Sequence, residues 1–302
     1  MRVVRMFAGG LTCVTLAGLP ATSVKAADLY FNPPEALCAV SGPNGKAEAA
    51  GGYIDDRGLD GGRGHVLGVI DARPGAEAAL ARVPALIGLA DEPWALPSGH
   101  HPRLDELARR HPGLRLVNTG DVFEALLVTV PQQLVTWQEA VAGWRRLVEK
   151  AGSPAPLGLI ASPTAAQVRR LSLHDVVGCG IARRRAETIL RCARVAGRLQ
   201  QAASMPTPAA MERLMAVPGV GPWTAASVLG QRLGRPDVII EGDVHLPNTV
   251  AYGLTGQARA DDPAMRRILA PYAGQEMRVV LLLMAGGVSA PKRGPRRAPG
   301  WR

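Results

Sequence analysis

The stretch MERLMAVPGVGPWTAASVLGQRLGRPDVIIEGDVHLPN, residues 211–248, decides the fold. Two helical runs flank Pro218-Gly219-Val220-Gly221. Paired glycines let the backbone turn tightly and leave amides that no side chain covers. The next helix opens at once with Pro222-Trp223-Thr224-Ala225, so turn amides and a helix N-terminus together make an anion site. An ordinary αα-turn would also be written PGVG. Past the apolar run Val238-Ile239-Ile240 comes Glu241-Gly242-Asp243-Val244-His245. Asp243 stands at a probable helix start, where it would cap the helix or do chemistry; Glu241 and His245 are ionisable neighbours that spacing alone does not exclude.

Outward from this hairpin the pattern stays helical. Arg103–His111, Asp121–Val130, Leu134–Lys150, a helix opened by Ser162-Pro163-Thr164, and a long amphipathic Arg183–Gln201 precede it. Thr207-Pro208 opens the first helix of the hairpin. Further helical runs are expected at 222–233, 247–254, 262–272 and 275–285, with no strands between them. Before residue 90 the text changes: residues 28–64 are rich in Gly, Pro and Asp, His65–Asp71 reads as a strand, and Ala76–Leu89 has helical spacing. The fold class is therefore mainly α: an all-helical domain over 91–287, preceded by a small α+β unit within 1–90 and followed by a basic flexible tail, 288–302. Residues 1–27 combine a basic start, a broken apolar stretch and Val24-Lys25-Ala26-Ala27, which reads as a secretory signal, an N-terminal strand or a start placed too far upstream. The signal is discounted and a cytoplasmic, nucleoid-associated protein expected; no other segment approaches the ~20 apolar residues that span a bilayer.

Charge points to a polyanion. The 302 residues carry 35 Lys+Arg against 25 Asp+Glu, a net +10. Residues 1–90 sum to zero, so the excess belongs to the C-terminal two thirds, and Lys292, Arg293, Arg296, Arg297 and Arg302 add five charges with no acid among them. Anionic membrane and plain solubility fit the same charge. The four cysteines (Cys13, Cys38, Cys179, Cys192) show no CxxC and no regular spacing, which argues against a zinc site, a disulfide framework or an iron–sulfur cluster. His100-His101 has no spaced carboxylate or thiol to make it a metal site. Arg183-Arg184-Arg185 starts a helix, where positive charge is unfavourable, and reads as a solvated face or one turned to phosphate.

Residues 211–248, together with Thr119–Ala125, Gln132-Gln133-Leu134-Val135-Thr136, Arg185-Ala186-Glu187 and Asp243–Leu246, resemble the helix-hairpin-helix base-excision DNA glycosylase superfamily. Within it the chain is most similar to the alkylation-repair branch, 3-methyladenine DNA glycosylase II; the resemblance covers roughly residues 95–287. It implies a monofunctional enzyme that flips an alkylated purine of the 3-methyladenine type out of duplex DNA and hydrolyses its N-glycosidic bond in base-excision repair. Asp243 falls on the catalytic aspartate, Trp223 on the base pocket, and Gly219, Val220, Gly221 and Thr224 on the DNA-binding hairpin. Leu134 falls on the apolar wedge that fills the gap left by the extruded nucleotide, with Gln133 beside it. Backbone carbonyls of Met215, Val217 and Val220 fall where the family holds a monovalent cation, Na or K; no other cofactor is implied, and no iron–sulfur cluster.

At position 223 the family's lyases place a Schiff-base Lys, and Trp cannot take that part; an indole offers a stacking face instead. Where the alkylation-repair enzymes place a further aromatic, this chain has Leu283 and Met284, which leaves the lesion range open. The partner implied is double-stranded DNA with damaged bases, bound by a monomer without a membrane. Two alternatives stand beside this: a non-catalytic helix-hairpin-helix DNA-binding protein, and a glycosylase for a different lesion.

Overall fold

The computed structural model describes six strands within residues 2–71, scattered positions between 82 and 92, and residues 95–154 and 160–291. The expected helix Ala76–Leu89 is largely, and the basic residues of the tail wholly, outside the described residues. In the N-terminal part, β1 (Arg2–Ala8), β2 (Leu11–Ala17), β5 (Ala50–Tyr53) and β6 (Leu67–Asp71) form one antiparallel sheet in the order β1-β2-β6-β5. β3 (Val40–Ser41) and β4 (Ala47–Glu48) pair separately. Arg2–Ala8 and Leu11–Ala17 are thus strands, the second of the three sequence readings.

The rest is helical, and its ends are written in the sequence. α1 (Pro102–Arg110) is capped by His101 with Pro at its first turn; α2 (Val122–Thr129) is capped by Asp121, and a 3₁₀ turn, Val130–Gln132, follows it. Thr136 and Glu139 form a capping box on α3 (Trp137–Ala151). Boxes of the same kind open α4 (Ala165–Val168) and α5 (Leu173–Gly178). α6 (Arg183–Arg194) and α7 (Ala196–Gln200) follow, then α8 (Thr207–Met215) and α9 (Pro222–Ser227). α10 (Leu246–Thr255) ends at Gly256, whose φ of 76° suits a left-handed cap. α11 (Asp262–Leu269) and α12 (Glu276–Ala285) complete the domain.

Three details differ from expectation. The single helix expected over Arg183–Gln201 breaks at Val195, whose φ/ψ of −113°/18° leaves the helical region. The run 222–233 is α-helical only to Ser227 and continues as a π turn, Val228–Arg232. A short hairpin, β7 (Ser153–Pro154) with β8 (Ile160–Ala161), interrupts the helices.

One continuous core joins these elements. Leu126, Leu147, Ile189, Leu214, Leu229 and Leu281 are almost wholly removed from water, and each such side chain contributes about 1.5–3 kcal/mol. α2 packs on α6, α7 and the π turn, while α12 packs on α1 and α10. A buried Asp91–Arg278 ion pair ties the segment before α1 to α12, and Asp91 also accepts the Leu116 amide. No single helix among the described residues is long and apolar enough to cross a membrane.

Glu124, in the first turn of α2, carries a consequence for stability. Burial, with Asp121 adding repulsion, pushes its carboxyl up to about 8 against the pull of Arg82 and Arg232. Below its ordinary pKa it is neutral in both folded and unfolded chains; above that, only the unfolded chain gains by ionising. Its contribution therefore declines as pH rises from about 4.5 to about 8 and is flat beyond. Urea unfolding across that window should show Glu124→Gln gaining on the wild type as pH rises; a constant difference between the two would contradict the assignment.

Candidate active site

The turn between α8 and α9 is fixed by one close approach. Gly219 adopts φ 98°, and a Cβ there would stand 2.0 Å from Thr188 Oγ1 and 3.0 Å from Thr188 Cβ. Thr188 is buried on α6, and its hydroxyl donates to the Arg184 carbonyl at 2.9 Å. Gly221 is different: it is extended, as a residue before proline prefers, and a Cβ would meet nothing within 4 Å. The amides of Gly219 and Gly221 have no partner among the described residues, and α9 starts without a side-chain cap. The turn thus presents open donors beside a helix N-terminus. Val217 and Val220 bury their side chains beneath it.

α6 holds a second loop against this turn. Arg185 Nη1 donates to the carbonyls of Gln133 at 2.7 Å and Pro131 at 3.4 Å. Gln133 Nε2 in turn donates to the Gly219 carbonyl at 3.0 Å and to Thr224 Oγ1 at 2.9 Å. Arg191 Nη1 reaches the Pro218 carbonyl at 3.3 Å. Next to Gln133, Leu134 has φ 55° and is fully exposed. A leucine in the left-handed region, projecting into solvent, runs against both backbone preference and the hydrophobic effect. The helix expected from Leu134 starts at Trp137 instead, because Thr136 caps it, and this frees the leucine from the helix. Trp137 is half exposed as well.

Asp243 stands across the hairpin. Its Oδ1 accepts the amides of His245 at 2.8 Å and Leu246 at 2.9 Å, the second of them the first amide of α10. Its Oδ2 accepts Trp223 Nε1 at 3.0 Å. The neighbours that spacing left open separate here. Glu241 is ion-paired to Arg266, and Gly242, at φ 77°, donates its amide to Asp262 Oδ2 at 2.9 Å. Val244, beside Asp243, is largely exposed.

Several expected site residues fall together: Gln133, Gly219, Thr224, Trp223 and Asp243 are linked through the hairpin. Thr224, expected at the DNA surface, is buried, and its hydroxyl serves Gln133. Of the carbonyls expected to hold a monovalent cation, those of Met215 and Val220 accept no hydrogen bond from the described residues, and that of Val217 accepts the Val220 amide at 2.9 Å. Leu283 belongs to the core of α12. His101 is structural: Nδ1 accepts the Arg103 amide and Nε2 meets the Leu254 carbonyl at 2.9 Å. No group of metal-ligating side chains occurs among the described residues. Cys179 and Cys192 are buried free thiols, that of Cys192 pushed up to about 12 by burial. The sequence reading missed Arg191, Asp262 and Arg266, and gave Arg185 no partner. Their signal is weak, since each acts on a segment 20 to 54 residues away.

Comparisons with known proteins bear on the fold. No protein-family model matches the sequence. The protein YfjP of Bacillus subtilis (strain 168), whose name assigns it provisionally to the DNA-3-methyladenine glycosylases, is 24% identical over 151 residues, 49% of this chain and 52% of that protein. The chain thus matches about half the length of this curated relative. A solved 3-methyladenine DNA glycosylase from Archaeoglobus fulgidus superposes with a TM-score of 0.72 at 22% identity, covering 91% of this chain and 99% of the other. The 8-oxoguanine glycosylase/lyase of Clostridium acetobutylicum, in complex with double-stranded DNA containing cytosine opposite 8-oxoG, gives 0.69 at 15% identity, covering 95% and 97%. The fold is that of the helix-hairpin-helix DNA glycosylases.

The two glycines of the turn should respond differently. Gly219→Ala must push against Thr188 with a strained backbone, so thermal unfolding should show a Tm lowered by several degrees, at ~2–4 °C per kcal/mol. Gly221→Ala should stay within about 0.5 kcal/mol of wild type. Equal effects would contradict the packing of the turn on α6.

Proposed function

We propose that the protein is a monofunctional DNA glycosylase that removes alkylated purines, 3-methyladenine above all, from duplex DNA in base-excision repair. The observation that carries this reading is Asp243, an aspartate held by three donors beside a hairpin with open backbone amides. The amides of the 219–221 turn bind phosphate without reading sequence. A monovalent cation on the Met215, Val217 and Val220 carbonyls would add positive charge beside that phosphate. Leu134, already projecting, enters the stack where the damaged nucleotide leaves it. The basic surplus of the C-terminal two thirds draws the polyanion in.

At the flipped nucleotide the bond from C1′ to the base nitrogen breaks, and the base takes the electron pair. An N-alkylated purine is already cationic, so it departs neutral and needs no general acid. Positive charge grows on the sugar, where the Asp243 carboxylate stabilises it. Water adds to C1′ and loses its proton to solvent or to Asp243. Trp223 has no amine for a Schiff base, so the strand is left uncut at an abasic sugar. The fold shared with an 8-oxoguanine glycosylase/lyase favours a second reading, an oxidised base as substrate. Against it, a neutral leaving base would need a proton donor, and an aminolytic route would need a lysine at position 223.

Incubation with dimethyl-sulfate-treated duplex DNA should release free methylated base, and Asp243→Asn should reduce the rate about 100-fold or more. The DNA strand should stay intact, with no borohydride-trapped adduct. Tight binding without base release by the wild type would leave a DNA-binding protein only, and trapping would make it a lyase. Replacing K⁺ and Na⁺ by choline at constant ionic strength should weaken duplex binding about threefold or more; an unchanged Kd would remove the cation from the hairpin.

A further inference from the structure

We propose that Trp223 is a positioning residue for Asp243, and that it leaves the carboxylate a single working acceptor site, on Oδ2. This rests on the glycosylase reading above. An ionised carboxylate has about four lone-pair sites. In this site Oδ1 spends two on the backbone amides of His245 and Leu246, at 2.8 and 2.9 Å. The indole Nε1–H takes one of the two on Oδ2, at 3.0 Å. One Oδ2 site remains, the one open to the reacting sugar.

Indole suits this task because it is a donor only and carries no charge. It cannot ion-pair with the carboxylate and quench it, as a lysine or arginine would, nor compete with it for a proton. The ring itself is half buried and packs on the core, so the N–H is aimed from a fixed base.

The backbone around Asp243 is held on its other side by α11. Asp262 accepts the Gly242 amide at 2.9 Å, and Arg266 pairs with Glu241, one residue further back. The ionisable groups around Asp243 are therefore Glu241 and His245 on its own segment and Asp262 and Arg266 on α11. Glu241 and Arg266 compensate each other, and Asp262 is bonded to the Gly242 amide. The direct donors to the Asp243 carboxylate are the two backbone amides and the indole.

Trp223→Phe keeps a flat ring and deletes only the donor. Single-turnover base release from dimethyl-sulfate-treated duplex DNA should slow about tenfold. Its Kd for a duplex carrying a tetrahydrofuran abasic analogue should stay within about threefold of wild type. A wild-type rate would overturn the proposal. So would a slower rate with a matching loss of affinity, which is what a stacking role alone would give.

A second measurement needs no Trp223 variant. The Trp223 indole ¹H–¹⁵N resonance should shift upfield in Asp243→Ala, as a lost hydrogen bond requires; a resonance that stays in place would also overturn the proposal. If the wild type releases no base while this shift is present, the glycosylase reading fails and the hydrogen bond survives as structure alone.

Discussion

The contact between Gly219 and Thr188 is the constraint on which the rest of the site depends. Only a residue without Cβ can lie this close to α6 at φ 98°. Once the turn is seated there, α6 serves as a common platform. Arg191 holds the Pro218 carbonyl, Arg185 holds the Gln133 carbonyl, and Gln133 bridges to Gly219 and Thr224. Two loops more than 80 residues apart in sequence are thereby fixed to one helix and to each other. The exposed, left-handed Leu134 persists because its neighbours on both sides are bonded: Gln133 to the hairpin and Thr136 to Glu139.

The carboxylate is placed with respect to this frame from the opposite side. Trp223 lies in the first turn of α9, directly after the hairpin, so seating the turn also sets the indole. Asp243 then meets a donor from α9 and two from the start of α10, while α11 fixes the two residues before it. The Asp243 carboxylate is held by backbone amides and a packed ring rather than by long, mobile side chains. Such preorganisation is where electrostatic stabilisation of a growing charge gains most of its strength.

Much of this was legible in the sequence. PGVG between two apolar runs gives the hairpin, because glycine pairs are costly unless a turn uses them. Asp243 at a helix start places its carboxylate on the first amide of α10. What could not be read is what depends on pairing at a distance. The run Leu134–Lys150 reads as one helix, but the capping box at Thr136 wins locally and leaves the leucine outside. Nothing in the text shows that Val195 breaks α6 from α7, or that Asp262 holds Gly242. Trp223 carried two possible uses, a face and an N–H, and only the position of Asp243 shows that the N–H is engaged. In the N-terminal third, glycine-rich segments with little apolar alternation hid the strands β3 to β5.

α6 couples the Gln133-Leu134 loop to the hairpin, and Arg185 is the bond that tests this most directly. The measurement is equilibrium binding of wild type and Arg185→Ala to two duplexes, one intact and one carrying a tetrahydrofuran abasic analogue, at fixed salt. The wild type should prefer the abasic duplex by about tenfold, ~1.4 kcal/mol, and Arg185→Ala should lose that preference while keeping its affinity for the intact duplex. A wild type without preference, or a variant that retains it in full, would contradict the account.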